Sequence, residues 1–280
     1  MRNFGDFPDT LTQYNNSEVV ILPVPYDGTS TWLKGANKGP EAILEASPNL
    51  EFYDIDTRRE VFKHTGIHTS EPVLECTSPE SMTDAVYERV SELIKDNKFV
   101  IVLGGEHSVS IGTAKAHHEN YENISVLQID AHGDMRDEYE NSQYNHACVM
   151  ARVKEFAPCV QVGIRSLCTE ELHNIDYSRM FFAEDIMKSE TWIEEVLDKL
   201  NENVYITFDL DAFDPSIISS TGTPEPGGLN WYQVIDLMKA VFAKKNVVGF
   251  DVVELCPNPH NKVSDFIAAK LVYKMIDLKF

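Results

Sequence analysis

Short apolar runs rich in β-branched residues recur at Val19 to Val24, Phe99 to Leu103, Ser125 to Ile129, Val160 to Ile164, Val204 to Phe208 and Val247 to Val252. Each has the length of a buried strand, and near-continuous hydrophobicity is what a strand covered on both faces requires. Between them, Pro79 to Asn97, Ser189 to Asn201, Asn230 to Ala243 and Val263 to Leu278 are amphipathic at helical spacing. This alternation predicts an α/β chain built as a three-layer α/β/α sandwich with a central parallel sheet. No repeat, low-complexity tract or Pro/Gly-rich linker interrupts it, so a single domain over residues 1–280 is expected.

In open parallel sheets ligands bind beyond the carboxyl ends of the strands, so the residues directly after each run matter most. Leu103 leads into Gly104-Gly105-Glu106-His107-Ser108, and Ile129 into Asp130-Ala131-His132-Gly133-Asp134. Phe208 leads into Asp209-Leu210-Asp211, and Val253 into Glu254. Asp130, His132 and Asp134 recur at every second residue, Asp209 and Asp211 repeat that spacing, and His107 adds an imidazole. One Asp-x-His or Asp-x-Asp alone is more often a cap or a turn. Several at separate strand ends would crowd carboxylates that cannot all ionise without large pKa shifts, unless divalent cations sit among them. Oxygen and imidazole donors without thiolate favour Mn²⁺, with Fe²⁺, Co²⁺ or Zn²⁺ as alternatives.

Composition narrows the picture further. A formal net charge of -21 would repel phosphate backbones, so nucleic acid is not an expected partner; it would attract small cations, though acidic proteins often owe such charge to solubility alone. No apolar run approaches the roughly 18 residues needed to cross a bilayer, and no secretory pattern opens the chain, so no membrane association and a cytoplasmic location are expected. Five scattered cysteines, none in a C-x-x-C arrangement, suit a reducing compartment.

Taken together, Gly104 to Ser108, Asp130 to Asp134 and Phe208-Asp209-Leu210-Asp211-Ala212-Phe213-Asp214-Pro215 resemble the three signatures of the arginase and agmatinase family of ureohydrolases. Pro23 to Thr29, Lys38 to Ile43, Gly163 to Arg165, Gly222 to Leu229 and Asp251 to Glu254 are similar to further family blocks in the same order. The resemblance implies an arginase-like fold and two Mn²⁺ ions per subunit. One ion would take His107, Asp130, Asp134 and Asp209; the other would take Asp130, His132, Asp209 and Asp211. It further implies a metal-activated water as nucleophile, Glu254 receiving the substrate guanidinium, and His146 passing a proton to the leaving amine. Asp130, as a bridge, would be part of the catalytic machinery. Ala147 stands where many relatives have Gly. The family usually forms trimers or hexamers.

Within the family, the Pro224-Glu225-Pro226-Gly227-Gly228 block and the acidic stretch around Glu138 lean towards agmatine, hydrolysed to putrescine and urea. An acidic rim disfavours carboxylate-bearing substrates such as guanidinobutyrate; arginine and formiminoglutamate are further family alternatives. A two-metal phosphoesterase is the rival chemistry, but no Arg/Lys clamp stands beside the ligands. A single-zinc deacetylase would leave ligands unused, and a non-catalytic scaffold would not need His146 and Glu254. His64, His68, His117, His118, His173 and His260 read as structural or solvated, and Trp32, Trp192 and Trp231 as packing residues.

Overall fold

All six apolar runs form strands, and the sheet gains two more that the pattern did not announce. In the computed structural model, which describes residues 2–280, the strands are β1 (Val19–Val24), β2 (Ile67–Thr69), β3 (Phe99–Gly104), β4 (Ile124–Ile129), β5 (Cys159–Ile164), β6 (Met180–Phe182), β7 (Asn203–Asp209) and β8 (Asn246–Val253). Their spatial order is β2-β1-β3-β8-β7-β4-β5-β6, with every neighbouring pair parallel. The two unannounced strands, β2 and β6, are three residues long and lie at the two edges. An edge strand of that length carries too little hydrophobic signal to stand out from a loop.

The helices are α1 (Gly39–Ala46), α2 (Phe62–Thr65), α3 (Pro79–Lys95), α4 (Val109–Asn120), α5 (Val149–Val153), α6 (Ala183–Ile186), α7 (Trp192–Lys199), α8 (Trp231–Lys244) and α9 (Val263–Lys279). On one face α1, α9, α8 and α7 pack in succession; on the other α3 packs on α4 and α4 on α5. Successive strand residues feed the two layers by turns: Val19, Ile21, Ile101 and Leu103 enter the first core, Val20, Leu22, Val100 and Val102 the second. Burying such a side chain is worth about 1.5–3 kcal/mol, so both faces of the sheet hold its helices.

Local signals set the helix starts. Ser78 Oγ accepts from the Ser81 N–H ahead of Pro79 at the first turn of α3, and Asn230 and Gln233 cap α8 reciprocally. α4 was not legible as an amphipathic stretch because polar residues such as Ser110, Thr113 and His117 are buried along with its apolar ones, so polarity does not mark its exposed side at a helical period. Among the described residues, no helix is long and apolar enough to cross a membrane.

What positions the site is the register of the middle four strands. Leu103 pairs with Val252, Val252 with Phe208, and Phe208 with Ile129, which draws one row across β3, β8, β7 and β4. One residue further on, Asp209 ends β7, Asp130 follows β4, and Glu254 follows β8 within two steps of the row. Gly105 lets the β3 exit pass against the β1 exit: its N–H donates to the Val24 carbonyl at 2.8 Å, and its own carbonyl accepts from the Glu254 N–H at 2.8 Å. A Cβ there would stand 1.8 Å from the Tyr26 carbonyl oxygen, which a backbone cannot yield without shifting the loop. Gly105→Ala is therefore expected to cost about 3 kcal/mol, read as a lower denaturant midpoint; an unchanged midpoint would refute this packing account.

Candidate metal centre and active site

Asp130 sits where two groups of side chains meet. His107, Asp130 and Asp134 form one group able to hold a cation, and Asp130, His132 and Asp211 form a second. His107 Nδ1 lies 2.9 Å from Asp134 Oδ2, 3.1 Å from Asp130 Oδ2 and 3.4 Å from Asp209 Oδ2. His132 Nδ1 lies 3.1 Å from Asp211 Oδ2 and 3.6 Å from Asp130 Oδ1. All six sequence-predicted ligands are thus brought together, and all but His132 are buried.

The donor atoms fit a metal better than they fit one another. His107 Nδ1 is fully buried and makes no hydrogen bond, although three carboxylate oxygens surround it. Its other nitrogen, Nε2, lies 2.9 Å from Thr207 Oγ1, and that hydroxyl donates its hydrogen to Asp251 Oδ1 at 2.7 Å. Nε2 must then carry the proton, which leaves the Nδ1 lone pair directed at the space between the oxygens. The carboxylates are oriented by the backbone in the same manner. Asp130 Oδ1 accepts from the His132 N–H at 2.6 Å, Asp209 Oδ1 from the Asp211 N–H at 2.8 Å, and Asp211 Oδ1 from the Ala131 N–H at 3.1 Å. Gln128 Nε2 donates to Asp130 Oδ2 at 2.7 Å.

The electrostatics point the same way. Burial and the neighbouring Asp130 charge push Asp134 up to about 7. Burial, then Asp211 and Asp130, raise Asp209 well above the usual carboxylate range. Burial alone would depress the two ligand imidazoles, yet the surrounding carboxylates outweigh it, taking His132 up to about 12 and His107 well above its ordinary value. Such a cluster is short of positive charge, and divalent cations supply it.

Two further predicted residues flank the cluster. Glu254 Oε1 accepts from the His107 N–H at 2.8 Å, and burial followed by Glu106 raises this carboxyl well above its ordinary value. His146 lies in the segment after the acidic stretch, where Asn145 Oδ1 accepts from the Ala147 N–H at 3.1 Å. Alanine at 147 leaves that local cap intact. Burial first, then the charges of His107 and His132, push His146 down to about 4. Both Asp134 and Glu254 adopt left-handed backbone, with φ of 52° and 65°. Such conformations cost about 1–3 kcal/mol and persist where the surroundings over-determine them.

Sequence reasoning passed over several residues here. Glu106, inside the His107 motif, is fully buried and accepts from Thr29 Oγ1 at 2.8 Å and Ser108 Oγ at 2.5 Å. Arg165 pins the turn after β7 by donating to the carbonyls of Asp211 at 2.7 Å and Glu225 at 2.8 Å. Glu225 Oε1, from the block that the sequence singled out, comes within 4.0 Å of His132 Nε2. Glu106 and Arg165 lie in recognisable blocks, but nothing in their spacing announced what they hold. Thr207 lies inside an apolar strand and gave no signal, and Asp251 appeared only within a family block with no role attached to it.

The remaining aromatic and histidine readings divide. His117 is buried against Tyr205 with ring centroids 4.5 Å apart, His173 pairs with Asp137, Trp192 is buried and Trp231 stacks on Phe213. Trp32 is no packing residue: it is 74% exposed in the loop after Thr29. A cleft of about 570 Å³ beside β6, lined by Tyr177, Phe182 and Trp192 among others, carries none of these ligating groups.

Sheet topology, ligand geometry and sequence comparison agree. The model of the arginase family matches residues 17–277, and the chain belongs to that family. It is 40% identical over 277 residues to an N(1)-aminopropylagmatine ureohydrolase of Thermus thermophilus, covering 98% of this chain and 94% of that one. It is 38% identical over 278 residues to the enzyme of the same name from Synechocystis sp., covering 96% and 91%. The solved structure of the agmatine ureohydrolase of Thermoplasma volcanium superposes with a TM-score of 0.87 at 31% identity, covering 100% of this chain and 94% of that one. The chain is therefore a ureohydrolase of the agmatinase type, acting on guanidino C–N bonds.

Asp130→Asn is expected to lose bound metal and activity together, measured as metal stoichiometry by elemental analysis; full occupancy would refute the shared-ligand geometry. Thr207→Val, which frees His107 Nε2 from its acceptor, is expected to weaken metal affinity about 10–100-fold, and an unchanged affinity by metal titration would show that this partner is idle.

Proposed function

We propose that the chain hydrolyses the guanidinium of a linear guanidino-amine to urea and the free amine, with two Mn²⁺ ions on the His/Asp cluster. The observation that carries this reading is a pair of ligand groups sharing Asp130, flanked by a carboxylate and an imidazole that belong to neither group. When bound, the ions activate a water and offset the charge of the crowded carboxylates. His107, Asp130, Asp134 and Asp209 would hold one, and Asp130, His132, Asp209 and Asp211 the other.

Glu254 receives the guanidinium. The His107 N–H holds Oε1 in place, and a planar cation arriving beside this carboxyl favours its ionised form and can be met by both oxygens. His146 is neutral at pH 7, because burial and then the charges of His107 and His132 hold its value down at about 4, so a proton that it takes from solvent is readily given up. It passes that proton to the departing amine nitrogen as the C–N bond breaks. The oxygen and imidazole donor set, without thiolate, is what favours manganese. A cytoplasmic location and assembly into trimers or hexamers belong to the same reading.

Agmatine satisfies these demands, and so does its aminopropyl-extended form. The higher identity to the relatives named for the extended compound, 38% and 40% against 31% for the agmatine ureohydrolase, favours N(1)-aminopropylagmatine as the preferred substrate. Glu225, 4.0 Å from His132, together with the exposed Glu138 and Glu140 of the acidic stretch before His146, would provide acidic partners for its additional amine.

Urea release by the Mn²⁺-loaded protein is expected to be about tenfold greater in kcat/KM for N(1)-aminopropylagmatine than for agmatine, the equivalent of ~1.4 kcal/mol. Arginine, guanidinobutyrate and formiminoglutamate should be poorer, and metal-stripped protein inactive. A preference for agmatine moves the substrate and keeps the chemistry. Silence on every guanidino compound despite two bound ions, with hydrolysis of a phosphate ester, would overturn the reading. Glu254→Gln is expected to retain metal and lose substrate affinity, seen as an elevated KM.

A further inference from the structure

Thr29 Oγ1 makes three contacts, two to His146 and one to Glu106. It lies 3.1 Å from His146 Nδ1, accepts from the His146 backbone N–H at 3.0 Å, and donates to Glu106 Oε2 at 2.8 Å. Glu106 is in turn held by the Ser108 hydroxyl and by the Ser108 N–H at 3.2 Å, all within buried surroundings. The loop carrying Thr29 is itself anchored: Lys34 Nζ donates to the Asp27 and Gly28 carbonyls at 2.9 and 3.2 Å, and the Gly35 N–H donates to Asp27 Oδ2 at 2.9 Å.

From this we infer that Thr29 is a positioning residue for the proton-transfer histidine, setting both the place of its backbone and the rotation of its ring. The inference rests on the proposed role of His146. An imidazole tethered only by its backbone can rotate about its side-chain bonds and present either nitrogen to a substrate. Here one hydroxyl grips the backbone N–H and Nδ1 together, and among the described residues Nε2 makes no hydrogen bond. Nε2 is therefore the nitrogen left to meet the departing amine. The hydroxyl is itself fixed, because Glu106 takes its hydrogen-bonding capacity on the far side, and Glu106 is fixed by Ser108. The order of positioning thus runs from the β3 exit, through the loop after β1, to the segment that carries His146. These three segments are far apart in sequence, Thr29 standing 77 positions from Glu106 and 117 positions from His146.

The test is a double-mutant cycle in the metal-loaded, full-length enzyme, using kcat and KM for agmatine and for its aminopropyl form. Thr29→Val is expected to lower kcat about 10²-fold, the scale of a misplaced catalytic group, with KM and metal content close to wild type. Thr29→Ser, which keeps the hydroxyl, is expected to recover most of kcat. In a His146→Ala background the same Thr29→Val change is expected to have no further effect, because what it positions is gone. Thr29→Ala serves if the valine is not accommodated, with thermal midpoints to confirm folding. Equal losses in both backgrounds, or Thr29→Ser no better than Thr29→Val, would overturn the inference while leaving His146 in its role. Full activity of His146→Ala would instead overturn that role, and the inference with it.

Discussion

The structure turns on the repulsion among carboxylates gathered at the exits of two adjacent parallel strands, β4 and β7. Asp130, Asp134, Asp209 and Asp211 are all buried, and no Lys or Arg ion-pairs with any of them among the described residues. Burial disfavours the charged forms and makes enclosed charges repel far more strongly than in water, and the two effects together raise Asp134 and Asp209. A sheet that ended in these residues for structural reasons alone would sacrifice stability at its centre. The arrangement makes sense as a receptacle for cations, with the undonated lone pair of His107 as its clearest mark.

Much of the neighbouring chemistry serves to hold those ligands still. Backbone N–H groups of His132, Asp211 and Ala131 each take a carboxylate oxygen, and the Thr207–Asp251 pair behind His107 settles which of its nitrogens is free. The cost is visible in the backbone, where Asp134 and Glu254 are both in left-handed conformations. Strain at these two positions, alongside hydrogen bonds that orient the ligands, is what a preorganised site looks like before any substrate arrives. In the proposed mechanism Glu254 and His146 act from outside the ligand set, one on the guanidinium and the other on the departing amine, each held by residues from distant parts of the chain.

In the same mechanism substrate choice lies further out, in segments with less to hold them. The rim formed by the acidic stretch around Glu138 and by Glu225 comes from two connections rather than from strands, and Arg165 ties the second of these to the turn after β7. Loops of this kind tolerate change more readily than strand ends do, so relatives with one reaction can differ in the tail they accept. The exposed Trp32 belongs to a third such connection.

Six of the eight strands and all six candidate metal ligands were legible in the sequence, because buried parallel strands demand uninterrupted apolar runs and ligands cluster directly after them. The family resemblance supplied the roles of Glu254 and His146, which spacing alone would not have assigned. The short edge strands, the largely buried α4 and the exposure of Trp32 escaped notice, since local pattern reports period and hydrophobicity but not what covers a surface. Only the tertiary structure revealed Thr29 against His146 and Glu106, and Thr207 with Asp251 behind His107. Those contacts join residues dozens of positions apart through the strand order and register of the sheet, and hydrogen bonds across such separations leave no periodicity for a sequence to display.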